Sequence, residues 1–300
     1  MAQVAFVKTK NRSAGIDRAL DLLGFEVDQR GHWFVKPNFN SADRAPGSTH
    51  NDVLRTIIAC LKEGGASRIV VGDRSGMGNT RTVMQQKNVF RLAEELGFKT
   101  LVFDEMDADG WQPFSSENGH WQQGFAVARP VLEAEGVIQA CCLKTHRYGG
   151  HFTLSLKNSV GLVAKTVPGE GYNYMSELHS SPHQRRMIAE VNAAYDTDLV
   201  VLDGVEGFVE GGPAQGKRVD ADVILASRDR VAIDAVGVAL LRHYGTTPEV
   251  SRGKIFEQEQ IARAVELGLG AASPQEIELL TGDAESEAYT AKIRKILDEG

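Results

Sequence analysis

The fold is decided by residues 33–73, which read WFVKPNFNSADRAPGSTHNDVLRTIIACLKEGGASRIVVGD. Short apolar runs at Trp33–Val35 and Ile69–Val71 predict two buried strands. Between them, the sequence predicts a helix over His50–Glu63, with Thr49 as its N-cap. Two buried strands joined by a helix are typical of a parallel βαβ unit, so this stretch predicts an α/β fold.

The alternation of strands and helices extends along most of the chain. Further strands are predicted at Val4–Val7, Thr100–Phe103, Val137–Leu143, Leu199–Leu202 and Val223–Ala226. Further helices are predicted at Ser13–Leu23, Thr82–Leu96, Thr153–Val163, Pro182–Ala194 and Asp229–His243. The sequence therefore predicts a single elaborated α/β domain over residues 1–300, with a mainly parallel sheet flanked by helices and a helical C-terminal segment at about 254–300.

Residues 104–127 interrupt this alternation. They mix Asp, Gly, Ser and Trp, and they contain a candidate hairpin around Pro113–Phe125. We interpret them as an inserted hairpin that forms a lid or a small subdomain.

Composition limits the class of protein. Hydrophobic residues make up 42% of the 300 residues and charged residues 24%, so enough apolar mass is present for a core and extensive disorder is not expected. The net charge of −7 argues against a nucleic-acid-binding protein, which usually carries a basic patch. No run approaches the ~20 apolar residues of a membrane span. The N-terminal MAQVAFVKTKNR lacks the apolar core of a signal peptide.

Cysteine usage indicates the redox environment. The three cysteines are Cys60, Cys141 and Cys142. Their odd number and the adjacent pair predict neither a disulfide framework nor an iron–sulfur cluster. We therefore expect a cytoplasmic protein with reduced thiols.

Four polar or Gly-rich loops follow predicted strands, beginning at Lys36, Gly72, Lys144 and Asp203. Ligands of open parallel sheets bind outside the carboxyl ends of the strands, so these loops are the candidate site. In the first loop, Lys36 offers a positive charge, and Asn38 and Asn40 offer hydrogen-bond donors and acceptors. An ordinary Asn/Pro turn is the alternative interpretation.

The second loop runs from Gly72 to Thr80. Its glycines allow successive backbone N–H groups to converge ahead of a helix, which favours an anion cradle. The spacing G-x3-G-x-G is not the dinucleotide-binding G-x-G-x-x-G. Asp73 could ligate a metal or accept a ribose hydroxyl, or it could cap the turn locally.

The third loop, Lys144–Asn158, holds the highest density of functional groups. Imidazoles such as His146 and His151 suit a transition metal or acid–base catalysis. A desolvated Lys157 would serve as a base, a nucleophile or an anion clamp. The alternative is a set of solvated surface histidines and lysines.

The fourth loop contains G-x-x-x-x-G-K from Gly211 to Lys217, but it does not predict a P-loop. Arg218 stands where Ser or Thr would hold Mg²⁺, and a strand follows where a helix is required. We expect a flexible Gly-rich flap beside Asp203, which with Glu206 could position a metal or a substrate cation. Turn and cap chemistry is the alternative for both carboxylates.

Five segments resemble the domain of unknown function 362 family. They are VKPNFN (35–40), GGASRIVVGD (64–73), LKTHRYGGHFTLSLKNSVGL (143–162), VVLDGVEGFVEGGPAQG (200–216) and ILASRDRVAIDAVG (224–237). The resemblance names a family without a reaction. Many members carry a ferredoxin-like cysteine cluster, which this chain lacks, so no iron–sulfur cluster is expected.

The third loop is also faintly similar to the nickel-pincer lactate racemase family, in which histidines and a lysine hold a nickel–nucleotide cofactor. That similarity implies His146, Lys157 and either His179 or His183 as counterparts. The Gly-rich segment after Gly72 lacks the histidine that this family carries there.

These observations predict an enzyme that acts on a small anionic carboxylate or phosphate in a cleft at the carboxyl ends of the strands. An isomerase, a lyase or a hydrolase would fit, with a divalent transition metal as a candidate cofactor. The alternatives are a non-catalytic cofactor- or anion-binding protein and a protein whose polar segments organise a homo-oligomer.

The candidate residues fall into three groups. The candidate catalytic residues are His146, Lys157 and His151. The candidate anion-binding residues are Lys36, Asn38, Asn40, Gly76, Gly78, Asn79, Thr80, Lys144 and Asn158. The candidate metal ligands are Asp73, His146, His151 and Asp203.

Overall fold

The computed structural model describes residues 1–27, 31–115 and 118–300. Within them, a nine-stranded sheet and a separate two-stranded sheet are present. The strands are β1 (Ala2–Lys8), β2 (His32–Lys36), β3 (Arg68–Asp73), β4 (Lys99–Val102), β5 (Trp111–Phe114), β6 (Phe125–Ala128), β7 (Gly136–His146), β8 (His151–Thr153), β9 (Leu199–Gly211), β10 (Gly216–Ser227) and β11 (Ile277–Leu280).

Helices cover both faces of the large sheet. The α-helices are α1 (Arg12–Leu22), α2 (Asn51–Glu63), α3 (Thr80–Gln86), α4 (Val89–Leu96), α5 (Arg129–Leu132), α6 (Ser155–Asn158), α7 (Tyr174–Ser180), α8 (Gln184–Val191), α9 (Arg230–His243), α10 (Pro248–Ser251), α11 (Glu259–Glu266) and α12 (Ala284–Glu299). Short 3-10 helices lie at Phe103–Glu105, Ala108–Gly110, Ser159–Leu162, Asn192–Ala194, Ile255–Glu257 and Pro274–Glu276. In the part of the chain that is described, no helix is long and apolar enough to cross a bilayer.

The large sheet has the order β11-β1-β10-β9-β7-β2-β3-β4, with β8 paired to β7. Strands β9, β7, β2, β3 and β4 run parallel to one another, whereas β10 is antiparallel to both β9 and β1. The predicted α/β fold with a mainly parallel, helix-flanked sheet is confirmed. The carboxyl ends of β2, β3 and β7 lie side by side at one edge.

Alternate residues of a strand enter different cores, as the two-residue repeat of a strand requires. In β1, Val4 and Phe6 pack into the core that includes α9 and α12. Ala5 and Val7 pack into the core formed with α1 and α2. Burial on both faces explains why the central strands are continuous apolar runs in the sequence.

Two helix predictions require correction. The predicted helix over 82–96 is divided into α3 and α4, because Asn88 adopts a left-handed conformation with φ 57°. Thr49 is not the N-cap of α2. Its Oγ1 accepts from Asn38 N at 2.7 Å and donates to Ala140 O at 3.0 Å, while His50 Nδ1 caps the helix by accepting from Asp52 N.

The predicted helix from Thr153 begins later, at Ser155. Thr153 is the last residue of β8 and pairs with Lys144. Thr153 and Lys157 therefore do not share a helix face. The third loop instead folds back on β7 as a short hairpin, which brings its side chains to the edge of the sheet.

The expected flexible flap after Asp203 is also incorrect, because β9 and β10 form a long antiparallel hairpin there. Glycine marks close strand packing at this point rather than flexibility. A Cβ at Gly204 would lie 2.8 Å from Val223 Cγ1. In the C-terminal segment, Ile277–Leu280 forms β11 beside β1, a strand that the sequence pattern did not predict.

The inserted hairpin predicted within 104–127 is present as β5 and β6, with Trp111 opposite Ala128. It belongs to a third core cluster that also contains residues of α7 and α8. Ser116 and Glu117 of the predicted hairpin lie outside the described residues.

Candidate functional site

A cleft of about 150 Å³ opens at the carboxyl ends of β2, β3 and β7. Lys36 is the last residue of β2, and Asp73 is the last residue of β3. Lys144 and His146 are among the last three residues of β7. The β7–β8 hairpin and α6 close one side, so that Lys157 also lines the cleft. The cleft lies at strand ends that the strand-end rule selected as the candidate site.

A buried ion pair forms its floor. Lys36 Nζ lies 2.7 Å from Asp73 Oδ1, and both side chains are almost fully buried. Asp73 also accepts the backbone N–H groups of Phe39 (2.6 Å) and Arg74 (2.7 Å). Burial raises the pKa of Asp73, and the Lys36 ammonium opposes that rise. With three donors on its two oxygens, this carboxylate is fully engaged in holding two loops together.

Asparagines extend this floor towards β7. Asn158 Oδ1 accepts from Asn38 Nδ2 at 3.2 Å and from Lys36 Nζ at 3.4 Å. Asn38 Oδ1 in turn accepts from Lys144 Nζ at 3.0 Å, and Lys144 also donates to Gly47 O at 2.5 Å. Two of the cleft lysines, Lys36 and Lys144, are therefore fixed in place by neighbouring oxygens.

The floor has no room for a further atom beside the ion pair. A Cβ at Gly161 would lie 2.5 Å from Asp73 Oδ1 and 2.7 Å from Lys36 Nζ. At the opposite wall, a Cβ at Gly76 would collide with Asn40 Oδ1. Both glycines are required by the close approach of backbone to polar side chains.

Arg74 supplies a third fixed positive charge. Its guanidinium is buried and donates to the carbonyl groups of Val160 (2.8 Å) and Val163 (2.7 Å), at the end of the 3-10 helix 159–162. Burial lowers the pKa of Arg74, and no carboxylate among the described residues forms an ion pair with it. The charge is held by carbonyl dipoles and directed towards the cleft.

Lys157 differs from these cations because it has no hydrogen-bond or ion-pair partner among the described residues, although it is only 7% exposed. Burial lowers the pKa of Lys157 to about 7, and the positive charges of Arg74 and Lys144 add to the effect. A large fraction of this amine is neutral near pH 7, so it can accept a proton or act as a nucleophile.

His146 lies beside Lys157. A Cβ at Gly150 would come within 2.6 Å of Lys157 Cε and 3.0 Å of His146 Nδ1, so both atoms border the same small space. Burial, together with Lys157 and Lys144, holds the pKa of His146 well below its usual range. The imidazole is therefore neutral, and its buried Nδ1 has no hydrogen-bond partner.

Two further buried polar atoms at the cleft have no partner, Asn40 Nδ2 and Thr153 Oγ1. A buried polar atom without a partner loses about 1–3 kcal/mol relative to its hydrated state, so such atoms are uncommon. Together with His146 Nδ1, three such atoms among the described residues border one cleft.

The charges that line the cleft are unbalanced. Among the described residues, the lysines and arginine on its wall are Lys36, Arg74, Lys144, Lys157 and Lys165, and the carboxylate is Asp73. Because the overall net charge of the chain is −7, this excess of positive charge is local. A positive, partly enclosed cleft concentrates anions.

The other candidate anion-binding residues of the second loop do not line this cleft. Asn79 caps α3, with Oδ1 accepting from Thr82 N at 2.9 Å. Thr80 accepts from Ser75 N and donates to Asp104, and Gly78 lies between Met77 and Asn79 in the exposed turn. These residues shape the loop, whereas Gly76 lies on the wall.

The candidate metal ligands are not gathered at one point. Asp203 pairs with Arg12 at 2.7 Å, and neither of these residues lines the cleft. His151 begins β8 with φ 64° and also lies outside the cleft lining. In residues 1–27, 31–115 and 118–300, no three His, Cys, Asp or Glu side chains are close enough to hold a metal ion. Asp73 and His146 are the two of the four that line the cleft.

His179 and His183, which follow the third loop in the sequence, lie in different parts of the structure. His179 lies on the cleft wall, with Nδ1 at 2.7 Å from Met175 O. His183 packs against His120, with ring centroids 4.7 Å apart and the rings tilted by 48°. The described residues of 104–127 contribute no lining residue, although Asp104 lies 3.9 Å from Lys165.

Sequence reasoning missed several lining residues. Arg74 and Met77 stand in the second loop beside residues that were selected, and Tyr148 stands in the third. Gly161 and Lys165 follow the third loop by a few residues. Arg74 could have been selected from the sequence, because it is a cationic residue directly after Asp73 at the end of a predicted strand.

Three comparisons relate this chain to known proteins. The solved structure of the lactate racemase apoprotein from Thermoanaerobacterium thermosaccharolyticum is similar to this chain, with a TM-score of 0.48 and 10% sequence identity. The similarity covers 98% of this chain and 85% of that one. No curated protein matches the chain. The family described as "Domain of unknown function (DUF362)" matches residues 34–239. The chain therefore belongs to the DUF362 family.

Proposed function

We propose that this protein is an enzyme that moves a proton to or from a small organic anion bound in the cleft. The proposal rests on Lys157, which is only 7% exposed, lines the cleft and has no partner among the described residues. It lies beside His146, whose buried Nδ1 is also unpaired. Isomerisation and elimination are the reaction classes that begin with such a proton transfer.

Binding of the anion is supported by the charges on the wall. Lys36, Lys144 and Arg74 already have oxygen partners, so they supply a fixed positive field rather than free donors. Asn40 Nδ2 and the hydroxyl of Thr153 are buried without a partner. Lys157 Nζ, on the same cleft, also has no hydrogen-bond or ion-pair partner among the described residues. A carboxylate or phosphate would take hydrogen bonds from these groups without displacing the floor.

Proton transfer is supported by the protonation states. Two neutral bases share one small space, since burial lowers the pKa of both Lys157 and His146. Near pH 7, neutral His146 can remove a proton from the substrate, while the protonated fraction of Lys157 returns a proton to a different atom. Any negative charge that develops on the substrate is stabilised by the surrounding cations.

The test is a screen of small carboxylates and organic phosphates in deuterated buffer, with NMR detection of C–H to C–D exchange. We expect at least one anion to exchange, and we expect Lys157→Met to lose exchange by about a hundredfold or more, since general acid–base groups contribute about 10²–10⁴. Lys217→Met, at an exposed lysine paired with Glu210, is the control and retains exchange.

Calorimetry separates this proposal from the alternative of a non-catalytic anion or cofactor carrier. Anion binding that survives in Lys157→Met, with exchange lost, supports the enzyme. Binding without exchange in the unmodified protein supports the carrier. Elemental analysis of the unmodified protein and of His146→Ala tests the metal prediction, because a transition metal present only in the former would make His146 a ligand.

A further inference from the structure

We infer that the Lys157 amine forms an imine with the carbonyl group of an anionic aldehyde or ketone, such as a 2-oxo acid. This inference rests on the proposed function, because the cationic cleft first has to bind the anion. It adds a substrate class, a carbonyl compound, and a covalent role for one residue.

The absence of an available counter-charge is the first argument. The other buried lysines of the cleft have oxygen partners, since Lys36 pairs with Asp73 and Lys144 donates to Asn38 and Gly47. Asp73 is the carboxylate on the cleft wall, and its oxygens are occupied by Lys36 and by two backbone N–H groups. Lys157 therefore faces a positive wall, which favours its neutral, nucleophilic form.

The second argument is that His146 and Lys157 can take different roles, His146 as the proton carrier and Lys157 as the nucleophile. His146 already provides a neutral base in the same space, with Nδ1 buried and unpaired. A proton carrier next to an amine is what imine formation requires, since protons have to be moved at each step. The turn at Gly150 permits this approach, because a side chain there would occupy the space that Lys157 and His146 border.

The chemistry balances without an oxidant or a reductant. The Lys157 nitrogen forms a bond to the carbonyl carbon, and the carbonyl oxygen takes up a proton to give a carbinolamine. That oxygen then leaves as water after a second protonation, as the C=N bond forms. The nitrogen loses one proton in the first stage and another in the second, so the net change is amine plus carbonyl to imine plus water. When the nitrogen keeps the second of these protons, the product is the protonated imine, which draws electrons from the adjacent carbon and makes its C–H easier for His146 to deprotonate.

The experiment uses glyoxylate, a very small anionic aldehyde, with cyanoborohydride to reduce any imine to a stable amine. Peptide mass mapping then gives the labelling rate of each lysine. At pH 7 about half of an amine with a pKa near 7 is neutral, against roughly one in 2,500 for a lysine of ordinary pKa. The lower nucleophilicity of a weaker base offsets part of that advantage, so we expect Lys157 to be labelled about tenfold faster or more than exposed lysines. Lys217 and Lys295 are the internal references, with side chains 61% and 73% exposed.

Two further measurements complete the test. Lys157→Arg keeps a positive charge at this position, and we expect it to lose the fast-forming adduct. In the control variant Lys217→Arg, we expect Lys157 still to form the adduct at the fast rate. Acetate, which has no aldehyde or ketone group, is expected to slow labelling of Lys157 by competition.

The outcomes separate this inference from the proposed function. Labelling of Lys157 no faster than that of Lys217 and Lys295 overturns imine formation. If acetate and glyoxylate still bind by calorimetry in that case, the proposed function stands. If neither anion binds and Lys157 shows no enhanced labelling, both proposals fail. The labelling rates of Lys157, Lys217 and Lys295 within the unmodified protein decide whether Lys157 forms the imine, even if Lys157→Arg does not fold.

Discussion

Two buried lysines line one cleft in opposite states. Lys36 is 1% exposed and pairs with Asp73 at 2.7 Å, in a network that also includes Asn158. Lys157 is 7% exposed and has no partner among the described residues. Burial lowers the pKa of both amines, but at Lys36 the neighbouring carboxylate opposes the effect, and at Lys157 the neighbouring cations increase it. The comparison teaches that the neighbouring charges, and not burial alone, decide how strongly the neutral form of a buried lysine is favoured.

The largest expected effect comes from breaking the paired side. Asp73→Asn leaves Lys36 without its counter-charge. The amide NH₂ that this substitution introduces must also face an N–H donor, because both carboxylate oxygens of Asp73 accept N–H groups. We expect the free energy of unfolding to fall by about 3–5 kcal/mol, measured by urea denaturation.

Asp220→Asn is the matched control for this change. Asp220 pairs with Arg218 at 3.2 Å on the surface, where an ion pair contributes less than about 1 kcal/mol. Equal effects of the two substitutions would contradict the structural role of the Lys36–Asp73 pair.

An intermediate effect is expected from crowding the same pair without changing its charges. Gly161→Ala places a methyl group 2.5 Å from Asp73 Oδ1, and we expect a loss of about 1–3 kcal/mol from overpacking. Gly171→Ala is the control, because nothing lies within 4 Å of a Cβ at that position. Thermal denaturation of the two variants measures the difference. A Gly161→Ala variant as stable as Gly171→Ala would mean that the floor of the cleft can move apart.

The smallest effect, and one of opposite sign, is expected on the unpaired side. Lys157→Met removes a buried amine that nothing neutralises, so we expect the protein to be about 1–2 kcal/mol more stable at pH 7, with activity lost. A loss of stability would show that Lys157 has a structural partner.

The pH dependence of that gain sharpens the comparison. The pKa of Lys157 is about 7 in the folded protein and close to 10.4 when unfolded. Between these values the unfolded chain binds the additional proton, so the unmodified protein gains stability as pH rises, by at most about 1.4 kcal/mol per pH unit. The advantage of Lys157→Met should therefore shrink from pH 7 towards pH 10. Urea denaturation at several pH values checks this, and a constant advantage would contradict the lowered pKa.

The sequence predicted where the strands and polar loops lie better than it predicted which side chains contact one another. Apolar runs between polar loops identified most of the central strands, because a strand buried on both faces has to be continuously apolar. The strand-end rule then selected the loops of Lys36, Lys144 and Lys157. It could not separate these from Asp203, which follows the predicted strand Leu199–Leu202. In the structure Asp203 lies within β9 and pairs with Arg12 away from the cleft.

Glycine was the least reliable signal. The glycines after Asp203 predicted a flexible flap, yet Gly204 permits close packing against Val223 within a regular hairpin. Gly161 was not selected at all, although it permits the approach of the backbone to the Lys36–Asp73 pair. Local sequence does not distinguish a glycine that turns the chain from one that makes room, because the neighbour that needs the room is distant in sequence.

The sequence by itself determined the α/β class, the order of most strands and helices, and the collection of basic and amide side chains at one edge of the sheet. These follow from local periodicity and from the rule that parallel strands end together. Only the tertiary structure decided which lysine is paired. Lys36 and Asn158 are 122 residues apart, and Lys157 meets the positive wall only after β7, β8 and α6 fold together. The charge state of a side chain depends on its neighbours in space, and so the same residue type forms an ion pair at one position and has a lowered pKa without a partner at another.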